Sequence, residues 1–289
     1  MINTKPHSSI GELILISTPI GNLNDFSLRA KETLKTVDLL LCEDTRITAK
    51  LLSAYSITLK MESLHEHNES QRINRILMDL KQGKKIALVS DAGTPLLSDP
   101  GYRLVRAVIE KNYDVTAIPG PNAAIMALTL SGLPPYPYMF VGFPPTKSQA
   151  RQTAFGLLKG AEHVGLQTTF IWHEAPHRLT EMLEDLSIVF GEDRQAAVAR
   201  ELTKKFEDVQ RGTLKELSNH YSSNPARGEL TVLLGPNLQL SEYNDDDLKK
   251  QIMDALTIMS VKDASNAIAK ANHLPKKIVY QKALELSKQ

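Results

Sequence analysis

Cysteine is nearly absent from this chain: Cys42 is the only one in 289 residues. A lone thiol excludes an internal disulfide and suits a reducing compartment. It ends the apolar run 37–42, where a buried structural thiol is expected. Net charge is also nearly absent, at +1, so no global field draws the chain to nucleic acid or membrane, and any such partner has to be met by local patches. No run approaches the ~18 apolar residues that span a bilayer, and the first residues lack the apolar core of a secretory leader. A cytoplasmic protein without a membrane partner is expected. Several signatures are missing too: no Gly-x-x-x-x-Gly-Lys-[Ser/Thr] loop, no Gly-x-Gly-x-x-Gly after the first strand, and no Gly-x-Ser-x-Gly elbow. His65 and His67 lie beside Glu66 and Glu69, but no third ligand follows at a metal-site spacing and there is no cysteine pair, so no metal is expected.

The composition present, 42% hydrophobic and 23% charged, is that of a globular protein, and the length allows two domains with a small appendage. Apolar runs predict strands over 12–17, 37–42, 58–64, 86–89 and 114–118. Helical periodicity falls between them over 27–36, 48–55, 69–82, 102–111 and 123–130. Asp25 or Ser27 can cap the first helix, Asn68 with Gln71 can form a capping box on the third, and Gly83 and Gly132 supply stops. Alternation of this kind predicts an α/β unit with a mostly parallel sheet. After the rigid connector 133–137 the pattern changes. Strands are predicted near 138–142, 168–173, 196–200, 208–211 and 229–234, with helices near 178–190 and 214–221. Short links between the later strands favour a mixed sheet. The segment 143–147, with Arg151 beyond it, reads as a loop. The last fifty residues read as three short helices, with a capping box at Ser260 and Asp263 and Pro275 in the first turn of the third. From Ser260 onward six lysines face two acidic residues, a modest basic footprint.

The densest signal is Ser90-Asp91-Ala92-Gly93-Thr94-Pro95-Leu96-Leu97-Ser98-Asp99-Pro100-Gly101, between the fourth strand and the helix after it. Connections of this kind average ~2–6 residues, and a longer one stiffened by Pro and Gly suggests a binding loop. Turns at 18–21 and 119–123 follow the first and fifth strands. In one parallel sheet all three occupy the carboxyl rim, where small ligands bind. In the second unit, charge gathers beside strands at 172–178, 199–204 and 226–231. Each cluster is open to a structural reading, such as Glu174 paired with Arg178 one helical turn on.

Taken in order, Ser17-Thr18-Pro19-Ile20-Gly21-Asn22-Leu23, Cys42-Glu43-Asp44-Thr45-Arg46, Ser63-Leu64-His65-Glu66-His67-Asn68-Glu69, the loop 90–101, Ile118-Pro119-Gly120-Pro121-Asn122-Ala123, Glu174-Ala175-Pro176-His177-Arg178 and Ala199-Arg200-Glu201-Leu202-Thr203-Lys204 resemble the tetrapyrrole methylase superfamily, and within it the ribosomal RNA small-subunit methyltransferase I branch. The superfamily's usual Gly-x-Gly-Pro turn is Ser17-Thr18-Pro19-Ile20 here, and its Gly-Asp-Pro is Ser90-Asp91-Ala92; both departures match the RNA branch. The resemblance implies an α/β, two-domain tetrapyrrole-methylase-like fold, with domains over 1–122 and 123–238 and a helix-turn-helix-like module over 239–289. It implies S-adenosylmethionine in the cleft between the two domains, methyl transfer to a cytidine ribose 2′-oxygen in small-subunit ribosomal RNA, free or within the 30S subunit, and a homodimer. Cofactor contacts are then expected at Ile20, Gly21, Asp91, Gly93, Thr94, Asn122, Ala123, Trp172, His173, Ala199, Glu229 and Leu230.

A 2′-hydroxyl is a poor nucleophile, so a base or positive field that helps remove its proton adds rate. Glu174, Arg200, Glu201 and Lys204 are the candidates. Phosphate contacts are expected from Lys147, Arg151, Arg178, Lys204, Lys205, Arg211, Lys276 and Lys277. Two rivals stay open: a corrin- or porphyrin-type methyltransferase, which should have an enclosed apolar cleft and no terminal helices, and a non-catalytic RNA-binding assembly factor, which should not bind the methyl donor.

Overall fold

A computed structural model describes residues 11–163, 165–237, 245–271 and 276–287. The expected tail over 1–9 and the role of Pro275 lie outside the described residues. Strands β1 (Glu12–Ile16), β2 (Leu39–Cys42), β3 (Met61–Ser63), β4 (Lys85–Val89) and β5 (Asp114–Ile118) form a parallel sheet in the order β3-β2-β4-β1-β5. Its central strands are apolar along their length because helices cover both faces. One face is packed by α1 (Leu28–Leu34) and α2 (Thr45–Ala54), with Ile14, Ile16, Leu34 and Leu52 in one core. The other is packed by α3 (Glu69–Lys81) and α4 (Tyr102–Glu110), with Leu13, Leu41, Leu80 and Leu104 in the second. The period-2 alternation of strand side chains separates Leu13 from Ile14.

The caps divide. Ser27 accepts the backbone N–H of Ala30 at 3.1 Å, as a cap should. Asn68 does not cap α3: its carboxamide oxygen accepts the backbone N–H of His65 at 2.9 Å and its amide group donates to the Ser63 carbonyl at 3.2 Å. The side chain holds the approach to the helix, so the predicted capping box does not form.

Helix α5 (Ala123–Ser131) carries the chain across to a second sheet, made by β6 (Tyr138–Gly142), β7 (Thr169–Glu174), β8 (Gln195–Arg200), β9 (Asp208–Thr213) and β10 (Leu230–Leu234) in the order β6-β7-β10-β8-β9. Only β6 and β7 pair in parallel; the other pairings are antiparallel. Ala127 and Leu128 of α5 pack on one face against Ile171, Ala197 and Leu233, together with Ile20 from the first half. The opposite face is covered by α6 (Ser148–His163), α7 (Leu179–Phe190) and α8 (Leu214–Ser223), around Phe155, Trp172, Leu183 and Leu217.

The sequence reading did not expect α6. Its amphipathic signal is blurred by Gly156 and Gly160, whose low helix propensity suggests a loop, and the helix is held by packing on α7. At the C-terminal end, α9 (Asp245–Leu256), α10 (Val261–Ala271) and α11 (Lys276–Leu286) share a small core of Leu248, Ile252, Ala269 and Val279. At α10 half of the predicted box forms: the Ser260 hydroxyl accepts the Asp263 backbone N–H at 3.2 Å, while the Asp263 carboxylate takes its 2.7 Å hydrogen bond from that hydroxyl instead of from the backbone. Among the described residues no helix is long and apolar enough to cross a membrane.

Candidate active site

The carboxyl rim of the first sheet brings its three loops together. Thr18 and Gly93 exchange backbone hydrogen bonds of 2.9 and 3.2 Å, joining the turn after β1 to the loop after β4. The Thr94 hydroxyl donates to the Pro121 carbonyl at 3.1 Å and accepts from Ser17 at 3.3 Å. Asn122 caps α5 by accepting the Ile125 N–H at 3.0 Å. Within the β4 loop the backbone is left-handed at Leu96 (φ 74°) and Ser98 (φ 67°). Such conformations cost side-chain-bearing residues roughly 1–3 kcal/mol and cluster at functional sites.

The rim of the second sheet faces these loops. Its β7 end, the turn after β8 and the turn before β10 close a cleft of about 360 Å³, lined by Ile20, Ala92, Leu97–Asp99 and Ala123 on one side and by Phe143, His173–Pro176, Ala199, Leu202 and Gly228–Thr231 on the other. That volume lies in the range of small-molecule sites. Gly93, Thr94, Asn122 and Phe140 line a smaller hollow of about 50 Å³ that shares Ile20, Ala92, Leu97, Ala123 and His173 with it.

Strand geometry sorts the predicted residues. His173 and Ala199 face the cleft, whereas Trp172 points to the other side, 1% exposed in the core beneath α6 and α7. Trp172 is therefore a packing residue; of the expected Trp172/His173 pair it is His173 that borders the cleft, its ring beside Thr231 at 3.2 Å and against Phe140 and Phe143. Burial pushes its pKa down, keeping the imidazole neutral.

Asp91 does not line the cleft. Its carboxylate accepts the Asp44 backbone N–H at 3.0 Å and so holds the turn after β2. Gly21 sits where loops of the two halves meet: a Cβ there would lie 2.4 Å from Lys204 Cγ, and the next residue, Asn22, donates its N–H to the Thr203 hydroxyl at 3.1 Å.

Among the catalytic candidates, Glu174 lines the cleft and is buried. It is paired with Arg178, and its Oε1 also accepts the Ala175 N–H at 2.7 Å, while its Oε2 has no hydrogen-bond partner. Arg178 is thus committed to this pair and is not a free phosphate contact. Glu201 Oε1 accepts from the Glu229 N–H at 3.0 Å and from Lys204 Nζ at 2.9 Å, and Lys204 also reaches Glu229 at 3.1 Å. These three form a clamp across two turns of the second sheet. Arg200 faces away from the cleft.

The expected phosphate contacts divide as well. Arg151 is a correction: on α6 it is wholly buried, with Nε donating to Asp185 of α7 at 2.6 Å and Nη1 donating to the Thr146 carbonyl at 3.2 Å. Arg211 spends its guanidinium on the Leu130 and Val209 carbonyls, closing the end of α5. Lys147, Lys205, Lys276 and Lys277 are exposed. Among the described residues no group of three or more His, Cys, Asp or Glu could hold a metal.

The sequence reading passed over Asp99 as a site residue. It lies at the far end of the Asp- and Gly-rich loop it singled out, which is the only signal for it. Asp99 lines the cleft, and burial, with Glu43 and Asp91 nearby, pushes its pKa up to about 7. No cation lies within ion-pair distance of it among the described residues.

The sequence model of the tetrapyrrole (corrin/porphyrin) methylases matches residues 12–218. The chain is 40% identical over 275 residues to a "ribosomal RNA small subunit methyltransferase I" of Mesorhizobium japonicum, covering 95% of this chain and 92% of that one. It is 43% identical to the protein of the same name from Synechocystis, covering 96% and 99%, and 38% identical to that of Escherichia coli O157:H7, covering 96% of each. Among solved structures, a diphthine synthase superposes with a TM-score of 0.58 at 14% identity over 78% of this chain and 90% of that one. The uroporphyrin-III-C-methyltransferase of Thermus thermophilus gives 0.52 at 17% identity over 77% and 94%. These two likenesses concern the fold.

Proposed function

Since the chain belongs to the tetrapyrrole (corrin/porphyrin) methylase family, we propose that it methylates small-subunit ribosomal RNA with S-adenosylmethionine as donor, and that the acceptor is the 2′-oxygen of a cytidine ribose. The observation that carries the reading is the cleft where the rims of the two sheets meet. Its apolar surfaces, Ile20, Ala123, Ala199 and Leu230, suit a nucleoside. Its unpaired acid, Asp99, suits a cation, and the partnerless Oε2 of Glu174 calls for a hydrogen-bond donor from a ligand. Bound there, the donor supplies an activated methyl group on a sulfonium. The chain's own task is to fix the acceptor oxygen in line and to exclude water. His173, held neutral, and Glu229 border the same cleft, and Gly93, Thr94 and Asn122 extend it.

The relatives named for ribosomal RNA support the substrate class. So does the three-helix module with its own core, which the corrin- or porphyrin-type alternative is expected to lack. Lys147, Lys205, Lys276 and Lys277 are the proposed phosphate contacts. The reading includes domains divided near residue 122 and residue 238, and a homodimer. Two measurements test it together: calorimetry of the full chain with S-adenosylmethionine, and mass mapping of small-subunit RNA from cells with and without the protein. Donor binding is expected, together with loss of one ribose methyl that returns on restoring the gene. An RNA mass spectrum unchanged by the deletion would sink the reading.

A further inference from the structure

Directly behind the second-sheet side of the cleft is a separate hollow of about 240 Å³ whose walls include Arg200, Arg227, His220 and Tyr221. Strand alternation explains its place. Ala199 looks into the cleft and Arg200, the next residue, looks away from it. Before β10, Gly228 and Glu229 border the cleft while Arg227 borders the hollow. The Glu201 clamp holds these two segments together, since its Oε1 accepts the Glu229 N–H at 3.0 Å. Gly228 is what allows the close fit: its φ is +83°, and a Cβ there would stand 2.4 Å from Glu201 Cδ.

The hollow's polar groups are poorly satisfied. Neither Arg200 nor Arg227 has a carboxylate within ion-pair distance among the described residues. Asp208, the acid on its wall, accepts from Gln210 Nε2 at 3.2 and 3.0 Å. Tyr221 is 4% exposed, and its hydroxyl has no hydrogen-bond partner. Burial pushes its pKa up to about 12, so the group stays a donor. Buried polar groups are rarely left unpaired. The half-buried Arg200 and the exposed Arg227 carry guanidiniums whose planar forks match phosphate oxygens, and beside the orphaned, buried Tyr221 hydroxyl they make a donor set that fits an oxyanion.

We propose that Arg200, Arg227 and Tyr221 form a phosphate subsite that takes a backbone phosphate of the RNA strand next to the nucleotide in the cleft. This rests on the ribosomal RNA reading above. Phosphate contacts fix register without reading sequence, and a strand splayed open at its target presents a phosphate on each side of the ribose. Arg200 is on this view a positioning residue.

The test uses the full chain and two probes, inorganic phosphate and a single-stranded fragment of small-subunit ribosomal RNA. Inorganic phosphate is expected to shift the arginine Nε–H resonances that disappear in Arg200→Gln and Arg227→Gln. Each substitution is expected to weaken RNA binding about tenfold and to lower the slope of log affinity against log salt by about 1, with Lys at either position restoring part of the affinity. Donor affinity by calorimetry stays unchanged. Tyr221→Phe is expected to keep its unfolding midpoint, because it removes an orphaned group, yet to bind phosphate more weakly. Resonances indifferent to phosphate, together with an unchanged salt slope, overturn the proposal. Phosphate binding without any change in RNA affinity overturns the RNA assignment and leaves a free-phosphate site. A parent chain that binds phosphate but no ribosomal RNA overturns the functional reading instead.

Discussion

Glu174, at the end of β7, and Arg178, four positions on in the turn after it, form a buried ion pair in the wall of the cleft, with Glu174 Oε2 left without a hydrogen-bond partner. Arg178→Ala strands the Glu174 charge and should cost on the order of 3 kcal/mol. Glu174→Gln should cost less and should lower donor affinity. Urea midpoints and calorimetry measure both. A Glu174→Gln variant with unchanged donor binding would remove Glu174 from the site.

Arg151 makes the opposite case. It was a plausible RNA contact by charge alone, yet its guanidinium is locked to Asp185 in the core of the second half. Arg151→Met should destabilise the chain by about 3 kcal/mol, because Asp185 is left buried without its cation, with only the hydrogen bonds from Ser148 and Gln152 to hold its charge. At temperatures where the variant is still folded, its affinity for RNA should match the parent's. Normal stability with reduced RNA binding would contradict the buried assignment.

The carboxyl of Asp99 is held up to about 7, chiefly by burial. Between an ordinary aspartate value and that point, the folded chain keeps a proton that the unfolded chain has released. Stability therefore falls as pH rises from about 4 to 7. Asp99→Asn should be more stable than the parent at pH 8, with the gap closing towards pH 4, as read by denaturant midpoints across that range. A gap that is constant with pH would mean Asp99 is ionised throughout.

Helices α9–α11 bury their own small core, so the chain ending at Asn244 should keep its fold. Its donor affinity should stay within about twofold of the parent's, while RNA affinity should fall about tenfold or more, as expected for lost lysine–phosphate contacts. Filter binding and calorimetry compare the two, and a larger loss for the donor than for RNA would refute a recognition role for the module.

Asp91 and Trp172 show where residue-by-residue expectation ran out. Both lie in segments that do border the cleft, at the end of β4 and on β7. Whether a side chain enters the cleft depends on the register and facing of the strand, and there Trp172 turns to the core while His173 turns to the cleft. Asp91 is captured by the backbone of Asp44, 47 positions away in the chain.

The sequence by itself determined the alternation of strands and helices in the first half, the three loops that share a rim, and the three terminal helices. These follow from periodicity, turn residues and caps, which act over a few positions. Only the tertiary structure decided which charges are spent and which are available. Arg151 meets an acid 34 positions on, and α6 forms despite two glycines because α7 gives it a surface to pack on. Asp99 keeps its proton to a higher pH than an ordinary aspartate, chiefly because burial withdraws it from water. Such effects are set by which segments become neighbours, and no local pattern encodes them.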